Sequence, residues 1–193
     1  MNTCIGGVKA IVMGASWGGL NAYIHILSVL PADFPLPILM VQHQQASADN
    51  RMPWLLARYC ALPVVTPEDK EPIIGGHVYV APPGYHMLVE DDQTLAFSNG
   101  RPVLFSRPAI DELFFSAGVV YGRHLIGVIL TGANEDGAAG MKYIHSRGGF
   151  TIAQSPVSSE APTMPEAAIT TGAISRVLDL EAIGPFLAKQ AMG

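Results

Sequence analysis

The sequence predicts an α/β protein with a doubly wound, mostly parallel sheet, helices on both faces and an antiparallel hairpin at one edge. Three observations carry this prediction. Short runs at residues 8 to 15, Ile38 to Val41 and Leu125 to Leu130 are apolar at nearly every position, as strands covered on both faces must be. Stretches with helical spacing of apolar residues follow them, and alternation of this kind builds parallel sheets with right-handed crossovers. Each of the three runs also ends in polar or glycine-rich residues, and such sheets gather their chemistry outside the carboxyl ends of the strands.

In chain order, the first run leads through Gly14-Ala15-Ser16-Trp17-Gly18-Gly19 into a helix marked by Leu20, Tyr23, Ile24, Leu27 and Leu30, which stops at Pro31. The second run, Ile38 to Val41, ends in Gln42-His43. Residues 51 to 60 spell a short helix with proline in its first turn. Between 63 and 105 the pattern changes to short strands, and Met87-Leu88-Val89 and Leu95-Ala96-Phe97, separated by the polar turn Glu90 to Thr94, form a hairpin. A helix follows over Pro108 to Tyr121, then the third buried strand. A helix over roughly 138 to 147, a strand at Phe150 to Ala153, a helix from about Pro165, a strand near Ser175 to Leu178 and a closing helix complete the order.

Composition narrows the function. The 193 residues are 49% hydrophobic and 14% charged, the balance of a single globular domain spanning 1–193 with a sizeable core. A net charge of −5 without a Lys/Arg cluster removes the footprint that nucleic acid or an anionic membrane would require. The two cysteines, Cys4 and Cys60, offer neither metal spacing nor a disulfide framework. No signal peptide or bilayer-length apolar run is present. The expectation is a soluble cytoplasmic protein with no metal, no cofactor, no membrane insertion and no nucleic-acid partner.

Ser16 is the reactive side chain of the first turn. A serine held among glycines between strand and helix is lifted out of the sheet, with the first helical N–H groups beside it. By itself such a turn serves a nucleophile or a phosphate. A dinucleotide fingerprint would need Gly at 14, 16 and 19, yet 16 is Ser, and no P-loop lysine follows. The turn fits G-x-S-x-G, but the α/β-hydrolase order places the acid before the histidine. The histidine that follows a plausible acid is His145, inside the next helix. Ser16, His43 and Asp136 instead fall at three strand ends, as nucleophile, base and orienting carboxylate. Taken singly, a strand-end histidine such as His43 is more often structural, and an Asp like Asp136 is usually a turn former or helix cap; the functional reading of both rests on their shared edge of the sheet.

Gly14-Ala15-Ser16-Trp17-Gly18-Gly19, Val41-Gln42-His43 and Leu130-Thr131-Gly132-Ala133-Asn134-Glu135-Asp136-Gly137-Ala138-Ala139-Gly140-Met141 together resemble the catalytic domain of the chemotaxis protein-glutamate methylesterases, the CheB family. Further matches occur in the family's order: Gly76 to Pro82, His86-Met87, Arg107-Pro108 with Asp111, Thr151 to Gln154 and Met164-Pro165. The resemblance implies hydrolysis of γ-glutamyl methyl esters on the cytoplasmic helices of methyl-accepting chemoreceptors, with release of methanol and deamidation of certain receptor glutamines. It matches Ser16 to the nucleophile, His43 to the base and Asp136 to the acid. The backbone N–H of Trp17 and one from Ala133 or Asn134 are expected to receive the oxyanion, each worth on the order of 3 kcal/mol. Trp17, His86 and Arg107 are candidates for the substrate pocket.

The sequence departs from the family pattern in places. Trp17 replaces a small Thr, Ala133-Asn134-Glu135 replaces Met-Gly-Asn and puts a second carboxylate beside Asp136, and Ser158 to Thr163 is less apolar. With the first strand about ten residues from Met1, no receiver domain is expected ahead of the esterase. Control then falls to a separate regulatory protein or domain, or is absent, or the chain is an excised piece. The alternatives to a receptor esterase are a catalytically silent docking module and an esterase or amidase for a small molecule.

Overall fold

A strand whose residues are all apolar has to be covered on both sides, and the chain meets that demand with helices on two faces of one sheet. The computed structural model describes residues 5–191; Cys4 lies outside them. In chain order the elements are β1 (Ala10–Ala15), α1 (Gly19–Leu27), β2 (Ile38–Gln42), α2 (Met52–Leu56), β3 (Val64–Val65), β4 (Val78–Val80), β5 (His86–Val89) and β6 (Leu95–Ser98). There follow α3 (Ile110–Tyr121), β7 (Leu125–Ile129), α4 (Ala138–Ser146), β8 (Phe150–Gln154), α5 (Thr163–Thr170), β9 (Arg176–Leu178) and α6 (Leu180–Ala191).

Seven strands form the sheet in the order β3-β4-β2-β1-β7-β8-β9, and every neighbouring pair runs parallel. Alternation along each strand sends side chains to opposite faces. Ile11, Met13, Ile38 and Met40 pack with Tyr23, Ile26 and Leu27 of α1, Leu56 of α2 and Ile183 and Leu187 of α6. Val12, Leu39 and Val41 pack on the other side with Leu113, Phe114 and Ala117 of α3, Met141 and Ile144 of α4 and Met164 of α5. The order reverses at β1, whose two neighbours β2 and β7 lead to opposite edges of the sheet. Such a reversal opens a crevice at the carboxyl ends of the strands.

Two expectations are refined. The hairpin forms as β5 and β6, but it is a separate two-stranded sheet, and the edges of the large sheet are β3 and β9. Its apolar residues Met87, Val89 and Leu95 are buried in the same cluster as Leu113 and Ala117, so the hairpin covers α3 instead of extending the sheet. The backbone N–H of Val89 is met by Ser116 Oγ of α3 at 3.1 Å. The helix expected over 51 to 60 closes earlier, at Leu56. No helix among the described residues is long and apolar enough to cross a membrane.

Candidate active site

Ser16 stands one residue past β1. Its N–H donates to Thr131 O at 2.9 Å, and Gly19 N–H donates to Ser16 O at 3.0 Å as α1 begins. Between them Gly18 takes a left-handed φ of 78°, which a residue with a Cβ adopts only under strain. A Cβ there would also lie 2.8 Å from Glu160 Cβ. The sharp turn at Ser16 therefore requires glycine at 18.

The register of β1 with β2 places His43 beside this turn. Ala15 pairs with Gln42, so Ser16 and His43 follow the same last rung on strands roughly 4.8 Å apart. His43 N–H donates to Ala15 O at 3.0 Å. Gln42 fastens the two together: its side-chain NH₂ donates to Ser16 O at 2.7 Å and to His43 O at 3.0 Å.

His43 Nε2 lies 2.6 Å from Asp136 Oδ2. Asp136 is fully buried and has two further partners, Ile110 N–H to Oδ2 at 2.7 Å and Asp111 N–H to Oδ1 at 3.0 Å. These are the first amides of α3, which have no acceptor within their own helix. With two backbone N–H groups already pointing at it, the carboxylate acts as an acceptor toward His43 too, which assigns the Nε2–H tautomer to His43 and leaves the lone pair on Nδ1. Close approach of α3 to β1 makes this possible, since a Cβ on Gly14 would fall 2.3 Å from Ile110 Cγ2.

The remaining His43 nitrogen is also engaged. Ser106 Oγ lies 3.3 Å from Nδ1, and no hydrogen bond among the described residues joins Ser16 Oγ to the ring. The amide N–H groups of Trp17, Ala133 and Asn134 have no acceptor among the described residues, whereas neighbouring Gly132 N–H is used on Ala161 O. Thr131 Oγ1 donates to Trp17 O at 2.9 Å and accepts from Ala161 N–H at 2.8 Å, tying the serine turn to the segment before α5. The indole of Trp17 is 70% exposed. Glu135 is exposed too, in contrast to its buried neighbour Asp136.

Asp111 is the titratable group nearby with a displaced pKa. Burial is the main cause, with the charge of Asp136 adding to it, and together they raise its carboxyl to about 6 against the opposing hydrogen bond from Gly140 N–H. A cleft of about 400 Å³ runs beside Asp111, Glu135, Leu104, Ala138 and Thr171.

The structure uses His86 and Arg107 differently from the pocket roles expected of them. His86 is buried, and both ring nitrogens are occupied by backbone: Nδ1 by Ala109 N–H at 3.2 Å and Nε2 by Arg101 O at 3.1 Å. Arg107 donates to Asn99 O and Gly100 O. Both hold the loop between β6 and α3. Sequence reasoning singled out neither Ser106 nor the clamp by Gln42; the only signal for Gln42 was its place next to His43 at a strand end.

Comparison with known proteins gives a consistent result. The CheB methylesterase family model matches residues 11–187. A protein of Leptospira interrogans, provisionally named protein-glutamate methylesterase/protein-glutamine glutaminase, is 49% identical over 175 residues, covering 91% of each chain. A Carboxydothermus hydrogenoformans protein-glutamate methylesterase/protein-glutamine glutaminase is 41% identical over 187 residues, 94% of this chain and 55% of that one, so the present chain spans about half its length. The crystal structure of the Thermotoga maritima CheB methylesterase catalytic domain superposes with a TM-score of 0.90 at 30% identity, covering 94% of this chain and 98% of the other. With a family model matching nearly the whole chain and relatives of this identity, the chain belongs to the CheB methylesterase family.

Proposed function

We propose that this chain is a cytoplasmic serine esterase, a single catalytic domain over 1–193, that hydrolyses γ-methyl esters of glutamates on the cytoplasmic helices of chemoreceptors. Release of methanol and deamidation of receptor glutamines would serve adaptation in chemotaxis. The relatives' names give the substrate class. The observation that carries the chemistry is the 2.6 Å contact of His43 Nε2 with buried Asp136, one strand away from a half-buried serine turn.

In this reading Ser16 Oγ attacks the ester carbonyl as His43 Nδ1 takes its proton, and Asp136 holds the resulting imidazolium in place. Negative charge develops on the carbonyl oxygen, toward the amides of Trp17 and of Ala133 or Asn134. The imidazolium then protonates the departing methoxide. Water, deprotonated by the same nitrogen, cleaves the acyl-enzyme and regenerates Ser16. With a glutamine substrate the same steps release ammonia.

Methanol release from methylated receptor membranes, compared between the parent chain and Ser16→Ala, tests this. The parent should release methanol and the variant should not. Equal release by both would remove Ser16 from the reaction, and cleavage of small esters without receptor demethylation would favour a small-molecule substrate.

A further inference from the structure

Nδ1 of His43 must accept the Ser16 proton for that reaction to begin, yet in this structure it faces another hydroxyl. Ser106 Oγ lies 3.3 Å from Nδ1. Asp136 occupies the opposite ring nitrogen at 2.6 Å, so Nδ1 is the ring's sole remaining acceptor and Ser106 must be the donor. Two serines thus compete for one lone pair.

Ser106 is carried on a two-residue turn closed by reciprocal backbone hydrogen bonds, Val103 N–H to Ser106 O at 3.0 Å and Ser106 N–H to Val103 O at 2.8 Å. Its tip residues, Leu104 and Phe105, both have left-handed backbones, with φ of 46° and 65°. That pair of conformations suits Asn-Gly, and two bulky L-residues adopt it against their own preference. Phe105 is fully exposed, so no burial of its ring compensates. Leu104 also borders the cleft lined by Asp111 and Glu135. A strained, apolar turn therefore stands at the surface, and its one polar side chain rests on His43.

We propose that Ser106 is a positioning residue that caps the His43 lone pair in the unliganded enzyme and withholds it from Ser16 until the 103–106 turn moves. This rests on Ser16 being the nucleophile. Capping costs the enzyme reactivity at rest, because the Ser106 contact must break before Ser16 can be deprotonated.

Covalent labelling of the full chain with a fluorophosphonate reads this step directly. The Ser16 Oγ–P bond forms, the P–F bond breaks, fluoride leaves and His43 takes the hydroxyl proton. Loss of one neutral hydrogen bond predicts labelling of Ser106→Ala roughly 2- to 10-fold faster than the parent. Ser106→Thr, which keeps the hydroxyl, restores the parental rate. The ¹⁵N resonance of His43 Nδ1 should move in Ser106→Ala and stay near its parental position in Ser106→Thr. A parental or slower labelling rate in Ser106→Ala, or an unmoved Nδ1 resonance, overturns the capping role, with Ser16 still the residue labelled. Labelling that persists in Ser16→Ala fails the nucleophile assignment instead.

Discussion

Asp136 Oδ2 lies 2.6 Å from His43 Nε2 and 2.7 Å from the backbone N–H of Ile110, so one carboxyl oxygen joins the end of β2 to the start of α3. Its other oxygen accepts from Asp111 N–H. An asparagine at 136 has one acceptor oxygen for these three donors, and its NH₂ would confront an N–H. Asp136→Asn should lower kcat by about 10²- to 10⁴-fold and destabilise the fold by about 1–3 kcal/mol, the cost of an unmet buried donor. Ester hydrolysis and urea unfolding on the same variant measure both.

Asp111 gives the fold a pH dependence of its own. Its carboxyl is raised to about 6, chiefly by burial, while an unfolded Asp titrates near 3.9. The folded state therefore holds the proton more tightly. The associated stability is fully present below about pH 4 and is lost as pH rises through about 6. Asp111→Asn keeps an acceptor for Gly140 N–H, which lies 2.7 Å from Oδ1, and has no proton to lose. Its melting temperature should fall less than the parent's between pH 4 and 6. Parallel thermal melts across that range decide the matter; identical slopes would count against the assignment.

Gln42 separates activity from stability. Its NH₂ bridges Ser16 O and His43 O, while its Oε1 is buried without a partner. Gln42→Met loses two hydrogen bonds but also relieves an unmet acceptor, terms of similar size, and Ser16 O still accepts from Gly19 N–H. Stability should change by less than about 1 kcal/mol. The relative placement of serine and histidine is no longer clamped, and kcat should fall about 10- to 100-fold with KM little changed, because misplacement acts on the chemical step.

Trp17 is expected to act on substrate and not on the fold. With its indole 70% exposed, Trp17→Thr should shift stability by no more than about 0.5 kcal/mol. An exposed aromatic ring beside Ser16 is covered only when a polypeptide lies on it, so KM for methylated receptor should rise severalfold. An unchanged KM would show that the ring never meets the substrate.

What the sequence determined by itself is the sheet and the strand ends. Short continuous apolar runs with β-branched residues fit strands covered on both faces, and that local signal placed Ser16, His43 and Asp136 at one edge of a parallel sheet before any contact was visible. The tertiary structure decided how the polar groups pair. His43 meets Ser106 across 63 residues and Asp136 across 93. His86 and Arg107, expected in the pocket, hold a loop because the carbonyls and amide they serve come from residues 99 to 101 and 109. The hairpin left the sheet because its apolar side fits α3. Hydrophobic periodicity is written into neighbouring residues, whereas a hydrogen bond depends on where two distant backbones come to rest. For that reason the chain announces its serine turn, while the group that Nδ1 of His43 meets at rest is known only from the fold.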